Sequence, residues 1–414
     1  MDISTTTLAK LSTFTSGTAN QYDISINWGG YYSFVNVYYG STSGTYTGNT
    51  ISYASSVKIS SLSIGTTYYF NIVPYNLRGV SGDYYGELSA STSSATTYSI
   101  TGGTNYYSVA GTSYNSAIQF MYAGSGNSTS YSFTPSNDVS CSLLLIAGGG
   151  GGGSQSGWTE GGGGGGAGGL GYGTVYLKSG TTYTITIGKG GSGSSANTLG
   201  DSGQNTTFSG SSGTTYIYEV AYGGAIGGTK NNNYSSGHSG NDNYAGFGYS
   251  GGSGSGAYGS FYQIVPKTGG SATKGASSSY SGMTNITYLG NSGGDGGWYC
   301  GGGGGGGAGG AGVTTYRNSN GTYQDISGGR GGAGFYYSFT GNTYASGGSG
   351  GSNGDGTSVY TVATTGGGGK GGLANSTGGS ATAHTGGGGG GGGGGSSSSS
   401  GGSGGSGVVI LLFN

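Results

Sequence analysis

The junction at residues 143–153 constrains this chain more than any other stretch. Leu143–Ala147 reads as an apolar β-strand and runs straight into six consecutive glycines, Gly148–Gly153. Further runs follow at Gly161–Gly166, Gly301–Gly307, Gly366–Gly369 and Gly386–Gly395, and a second apolar strand, Val408–Phe413, closes the pattern. The five runs hold 33 glycines. Ordering each residue costs about 1–2 kcal/mol, whereas a net hydrogen bond returns only about 0.5–1.5 kcal/mol. A run on its own therefore stays disordered. Runs become ordered only side by side, as threefold extended helices rising about 3.1 Å per residue. Their N–H and C=O groups point sideways, and no Cβ holds neighbours apart. Anchors at the ends are then essential, and Leu143–Ile146, Trp158, Tyr172, Trp298, Tyr299 and Val408–Phe413 supply them.

Composition bears on whether such packing occurs. Glycine makes up 109 of 414 residues and proline 3, a balance usual in low-complexity chains. Yet aromatics reach 13%, with 38 tyrosines, and charged residues only 6%. Disordered chains show the reverse. Net charge is −1 and no basic block exists, which excludes the phosphate contacts of nucleic-acid binding. No 18-residue apolar window suggests a membrane span. Residues 1–20 lack the apolar core of a secretory signal, so the expectation is either a processed chain or assembly inside a cell, as virus particles assemble. Cys141 and Cys300 each precede a glycine run. They read as a long-range disulfide or as two buried thiols, and thiols are the favoured reading.

Residues 1–97 form a separate unit without long glycine runs. Ile24, Ile26 and Trp28 alternate with polar residues, and Phe34, Val35, Val37 and Tyr39 follow as a second strand. Val57–Ile59 and Phe70–Pro74 complete a pattern of short strands that predicts a β-sandwich. Leu62, Gly65, Thr66 and Tyr68 resemble the tyrosine corner of fibronectin type III domains, and Trp28 sits where that family carries its core tryptophan. Asn76–Ser81 is similar to the turn after the family's sixth strand, although the family's proline-rich start is missing. The resemblance implies a spacer or docking module.

A Ser/Thr/Ala linker, Ser91–Thr97, leads to a second unit, 98–414. Ile118–Tyr122 and Ser130–Phe133 read as strands, as do Asn205–Phe208 and Tyr216–Val220. Val175–Leu177 and Thr181–Ile187 read as a hairpin across Lys178–Gly180, with Tyr183, Ile185 and Ile187 on one face. Thr229–Trp298, Val313–Gly341 and Ala345–Thr365 read as polar insertions, the first of them exposed. The order of features resembles the glycine-rich domains of bacteriophage tail-fibre adhesins and of virion proteins of large DNA viruses: apolar strand into polyglycine, TTYTITIG, repeated runs, apolar tail. It implies a polyglycine II sandwich with variable loops at one end that contact host receptors. The fold expected is mostly β: an immunoglobulin-like sandwich followed by a glycine-rich β and polyglycine II domain.

Chemistry is sparse. His238 and His384 stand apart, and neither lies near a cysteine at metal-ligand spacing. Gly188–Gly190 and Gly369–Gly371 lack the serine or threonine of a phosphate loop. Asn241–Asn243, Asp295 and Asp355 read as solvated turns rather than calcium ligands. No catalytic, cofactor or metal residues are assigned. Tyrosine and asparagine supply stacking faces and adaptable hydrogen bonds, which makes Tyr234, Tyr244, Tyr249, Tyr258, Tyr280, Tyr336, Tyr337 and Tyr344 candidate receptor contacts. The function expected is a virion-surface structural protein that attaches to host glycans or receptors. The first unit would hold other virion proteins, and copies of the chain could associate. The alternatives are a capsid-decorating or fibril-forming subunit, or an extracellular or cell-surface fibril.

Overall fold

The computed structural model describes residues 8–19, 23–63, 65–83, 85–92, 98–107, 116–124, 126–155, 160–195, 198–229, 247–259, 267–297, 301–315, 327–353 and 365–413. Among them there is no helix, and the ordered elements are strands and extended glycine segments. The chain divides into two compact units, Met1–Thr97 and Tyr98–Asn414.

In the first unit β1 (Lys10–Ala19), β2 (Ile24–Tyr31) and β5 (Ser56–Ile59) form one antiparallel sheet, ordered β1-β2-β5. The other, ordered β4-β3-β6-β7, comprises β3 (Phe34–Gly40), β4 (Gly48–Ser52), β6 (Thr67–Tyr75) and β7 (Leu88–Ser91). Alternation places Ile24, Ile26, Trp28, Val35, Val37, Phe70 and Ile72 in one buried cluster between them. The Tyr68 hydroxyl accepts a hydrogen bond from Ser63 N at 3.0 Å. It ties the chain entering β6 to its own strand.

The second unit opens with β8 (Tyr98–Thr101), β9 (Thr104–Tyr107), β10 (Ser116–Met121), β11 (Ser128–Pro135) and β12 (Val139–Ile146). Next come β13 (Leu170–Leu177), β14 (Tyr183–Gly188), β15 (Thr206–Ser212), β16 (Thr215–Ala221), β17 (Gly275–Ser277) and β18 (Thr284–Leu289). β19 (Phe335–Tyr337), β20 (Asn342–Tyr344) and β21 (Val408–Phe413) complete it. Two six-stranded sheets result, β18-β13-β12-β21-β10-β9 and β17-β16-β15-β14-β11-β8. β12 and β21 are adjacent and buried on both faces, which explains their unbroken apolar runs. Leu143, Leu145, Val409 and Leu411 face the second sheet, whereas Leu144, Ile146, Ile410 and Leu412 face a separate cluster that includes Tyr337 and Tyr344.

Two expectations are corrected here. Val175–Leu177 and Thr181–Ile187 are not a hairpin: β13 pairs with β12 and β18, while β14 pairs with β11 and β15. The short turn carries the chain from one sheet to the other, so Val175 and Leu177 face Tyr183 and Ile185 across the core. Lys178 N donates to the Tyr183 hydroxyl at 2.8 Å and Ser179 N to Asp138 Oδ1 at 2.8 Å, which fixes the crossing. Likewise, Thr229–Trp298 is not merely an exposed insertion. It contributes β17, β18 and buried extended segments such as Gly252–Gly259.

The glycine runs pack as a hexagonal bundle. Along 148–153 every N–H donates, and the direction turns by a third of a circle per residue. Gly148 and Gly151 donate to Gln204 and Asp201, Gly149 and Gly152 to Gly405 and Gly402, and Gly150 and Gly153 to Gly166 and Gly163, all at 2.8–3.1 Å. The carbonyls accept from three other segments, at Gly224 and Gly227, Gly191 and Ser194, and Gly389 and Gly392. The run thus has six bonded neighbours, three antiparallel and three parallel. Segments 162–167, 302–307 and 388–393 are enclosed in the same way. On the rim one direction in three opens to solvent, and there the sequence carries a side chain at every third position: Lys189 and Ser192, Arg330 and Ala333, Lys370 and Leu373. The run Gly366–Gly369 belongs to this rim. Uninterrupted glycine is needed only inside.

A direct test compares the two environments. A Cβ at Gly151 would overlap the carbonyl oxygen of Ser192, whereas the Ser192 side chain is exposed. Gly151→Ala should lower unfolding stability by about 3 kcal/mol or more, and Ser192→Ala by no more than about 0.5 kcal/mol, measured by denaturant titration.

Candidate binding end of the glycine body

Segment 147–169 leaves β12 and returns to β13, so residues near 155 and 160 mark the end of the bundle away from the sheets. The described residues that flank 156–159, 196–197, 230–246, 260–266, 298–300 and 316–326 all lie at this distal end. The described ends of these glycine segments therefore lie together.

Polar side chains concentrate here and are buried, among them Ser154, Gln155, Glu160, Thr229, Lys267 and Ser399. Lateral bonding stops where a segment ends, and side chains satisfy the last backbone groups. Ser154 Oγ donates to Ser195 O at 2.8 Å and lies 2.7 Å from Thr229 Oγ1. Gln155 exchanges backbone bonds with Ser399 at 2.8 and 3.1 Å, and its Nε2 donates to Gly395 O at 3.1 Å. Thr315 Oγ1 donates to Gly301 O at 2.9 Å, and Asn375 Oδ1 accepts from Ser397 N at 2.9 Å. These residues close the described ends of the glycine segments with side-chain hydrogen bonds. The sequence signal for them is a polar residue that ends a glycine segment.

Tyr258 is buried at this end. Burial, with Glu160 beside it, pushes its phenol well above the ordinary range, so it stays neutral. Lys267 Nζ stands 5.6 Å from the centre of the Phe247 ring.

The tyrosines singled out from the sequence do not converge. Tyr234 and Tyr244 lie outside the described residues. Tyr249 is exposed on the distal flank, where its N–H donates to Ser255 Oγ at 2.8 Å. Tyr280 and Tyr336 are exposed beside the sheets. Tyr258, Tyr337 and Tyr344 are only 3%, 3% and 5% exposed, which corrects their assignment as receptor contacts. Tyr337 and Tyr344 fill the apolar cluster over β12 and β21, where an aromatic ring contributes more by burial than at the surface. Of the anchors, Tyr172 stacks on Phe335 at 4.9 Å. Trp158, Trp298 and Tyr299 lie outside the described residues.

Other reactive groups are occupied structurally. Asp295 Oδ1 accepts from Gly269 N at 2.8 Å. Asn241–Asn243, Asp355, His238 and Cys300 fall outside the described residues. Among the described residues no cluster of His, Cys, Asp and Glu is arranged to hold a metal ion, and no helix is long and apolar enough to cross a membrane. Cys141 is a free thiol buried between the sheets, and burial pushes its ionisation far up. His384 has a φ of 60°, lies 3.1 Å from Ser406 Oγ through Nδ1, and is held below its ordinary 6.5 by burial.

In a Cys300→Ser background, Cys141 should react with a thiol reagent only after denaturation, as followed by absorbance of the released product. His384 is neutral in the fold, and the unfolded chain takes up that proton first as pH falls. Stability should therefore be full above the ordinary 6.5 and decline below it. His384→Asn, which tolerates the left-handed backbone, should flatten the change in thermal midpoint between pH 7 and pH 5.

Comparison with known proteins is consistent with this architecture. A family model described as a glycine-rich domain matches residues 125–352. No curated protein matches the chain.

Proposed function

The chain belongs to the glycine-rich domain family, and from that premise we propose that it is a virion-surface structural protein whose distal end attaches to host glycans or receptors. The observation that carries this reading is the bundle itself. Four interior segments with six bonded neighbours each hold the described segment ends at the distal side at fixed separations. A binding surface gains affinity when its base is preorganised. We assign no catalytic step to the described residues of this base, and the role proposed for it is display and binding.

The first unit serves as the attachment module to other virion proteins. Its three-strand and four-strand sheets, the buried Trp28 and the bond from Ser63 N to the Tyr68 hydroxyl support a fibronectin type III reading. The near absence of charge suits a particle surface that meets neutral glycans, and gives no steering toward nucleic acid.

The test exchanges residues 230–246 for a glycine–serine segment of equal length, which leaves β17, β18 and the buried glycine segments intact. Particles should still incorporate the protein, with an unchanged thermal midpoint, but lose adhesion to host cells. Unchanged adhesion would oppose attachment through this connection. Failure of incorporation with a normally folded protein would favour the capsid-decorating role. Gold-labelled antibody on purified particles locates the chain, and label on cell-wall or extracellular fibrils alone would overturn the virion assignment.

A further inference from the structure

We infer that the outward face of the sheet β17-β16-β15-β14-β11-β8, together with the tyrosines at its β16–β17 edge, is a second binding surface whose ligand is an uncharged polysaccharide. This face lies on the sheets, apart from the distal end.

The inward positions of this sheet, including Phe133, Ile185, Phe208 and Ile217, enter the core. Alternation then leaves serine and threonine outward on four neighbouring strands, among them Ser132, Thr134, Thr184, Thr186, Thr207 and Ser209. No outward position of β8, β11, β14, β15 or β16 is charged. An ordinary soluble surface mixes acidic and basic residues, so a whole sheet face of hydroxyls calls for an explanation. The opposite sheet offers no parallel, because Tyr337 and Tyr344 of the β19–β20 hairpin pack into the cluster on its outer face.

Strand geometry repeats these hydroxyls roughly every 4.8 Å across the sheet and 6.7 Å along it. Cross-strand pairs hold them: Thr101 and Ser132 at 3.0 Å, Thr134 and Thr182 at 2.9 Å, Ser130 and Thr186 at 3.3 Å. A hydroxyl has one donor and two acceptor sites, so each pair keeps capacity for a ligand.

At the edge formed by β16 and the segment running on from β17, Tyr216, Tyr218 and Tyr280 are 45%, 44% and 47% exposed, and the rings of Tyr216 and Tyr280 meet edge to face at 6.5 Å. Their positions are built in from below. Tyr218 N donates to Ser279 Oγ at 2.9 Å. Ser277 and Ser279 hydroxyls both donate to Glu219 Oε1, and the Tyr288 hydroxyl to Glu219 Oε2, each at 2.6 Å. Glu219 is fully buried. The aromatic edge is thus preorganised.

Ligand chemistry follows from what the face offers. With no charge it has nothing to pair with phosphate, sulfate or carboxylate groups. It also lacks the desolvated apolar centre that a stable protein partner or a second copy needs. A neutral sugar polymer presents hydroxyls to the array and C–H faces to the tyrosine rings, and its repeat turns many weak contacts into retention.

The test is co-sedimentation of the full chain with insoluble cellulose, chitin, β-1,3-glucan and starch, with alginate gel as the charged control. At least one neutral polymer should retain the protein and alginate should not. Tyr216→Ala with Tyr218→Ala should weaken apparent affinity by about tenfold or more. Thr184→Lys with Ser209→Lys should weaken it similarly, while Tyr336→Ala and the 230–246 exchange leave it unchanged. Thermal midpoints confirm folding of each variant. Retention by none of the neutral polymers, or retention indifferent to the face substitutions, overturns the proposal. So does a sedimentation-velocity dimer that the face substitutions dissociate. Loss of host adhesion with intact polymer retention would leave this face standing independently of the distal reading.

Discussion

The second unit depends on lateral hydrogen bonds between backbones that approach without side chains between them. Each bond is worth little in net terms, and glycine brings the largest entropy to be lost. What tips the balance is completeness. In segment 148–153 every N–H and every C=O has a partner from one of six neighbours, and none depends on water. The bundle is in this respect a three-dimensional analogue of a β-sheet. A sheet bonds each strand to two others, whereas the threefold segment bonds in every direction and needs a small residue wherever a neighbour stands.

The sandwich supplies what glycine cannot. β12 and β21 place apolar side chains on both faces, and the glycine segments 147–155 and 399–407 continue directly from them. Hydrophobic burial in the sheets sets the register and spacing from which the bundle grows. At the other end Ser154, Gln155, Thr229 and Ser399 close off the last backbone groups. The second unit therefore passes from apolar to side-chain-free to polar along one direction. That gradient separates the apolar part that stabilises the unit from its polar end.

Much of this was legible in the residues. The two-sided runs Leu143–Ile146 and Val408–Phe413 and the alternation of Tyr183, Ile185 and Ile187 led directly to strands that exist. The first unit's strands follow the same alternation. The β13–β14 connection misled because a short Lys-Ser-Gly turn looks the same whether the chain stays in its sheet or crosses to the facing one, and both strands point apolar residues to the same core. Rim segments were hidden for another reason. Arginine, lysine or serine at every third position makes GGR, GGS and GGK stretches look like polar inserts, although two residues in three are buried glycine. Tyrosines were hardest, since one residue type serves a core at Tyr337 and a surface at Tyr336, one position apart.

The place of β21 also bears on how the protein comes to be made. This strand lies between β12 and β10, and its neighbouring glycine segment bonds to residues near 149–152, some 250 positions earlier. Neither the central sheet nor the bundle can close until the final strand has been synthesised, so the nascent second unit waits with its apolar and glycine stretches unpaired. Loop-closure entropy over such separations slows folding and lengthens exposure to aggregation. A chain with few charges to keep its unfinished copies apart is then best served by chaperone protection or by low local concentration during synthesis. Once closed, the same long-range pairing favours slow unfolding, because release of any one segment breaks contacts on all sides at once.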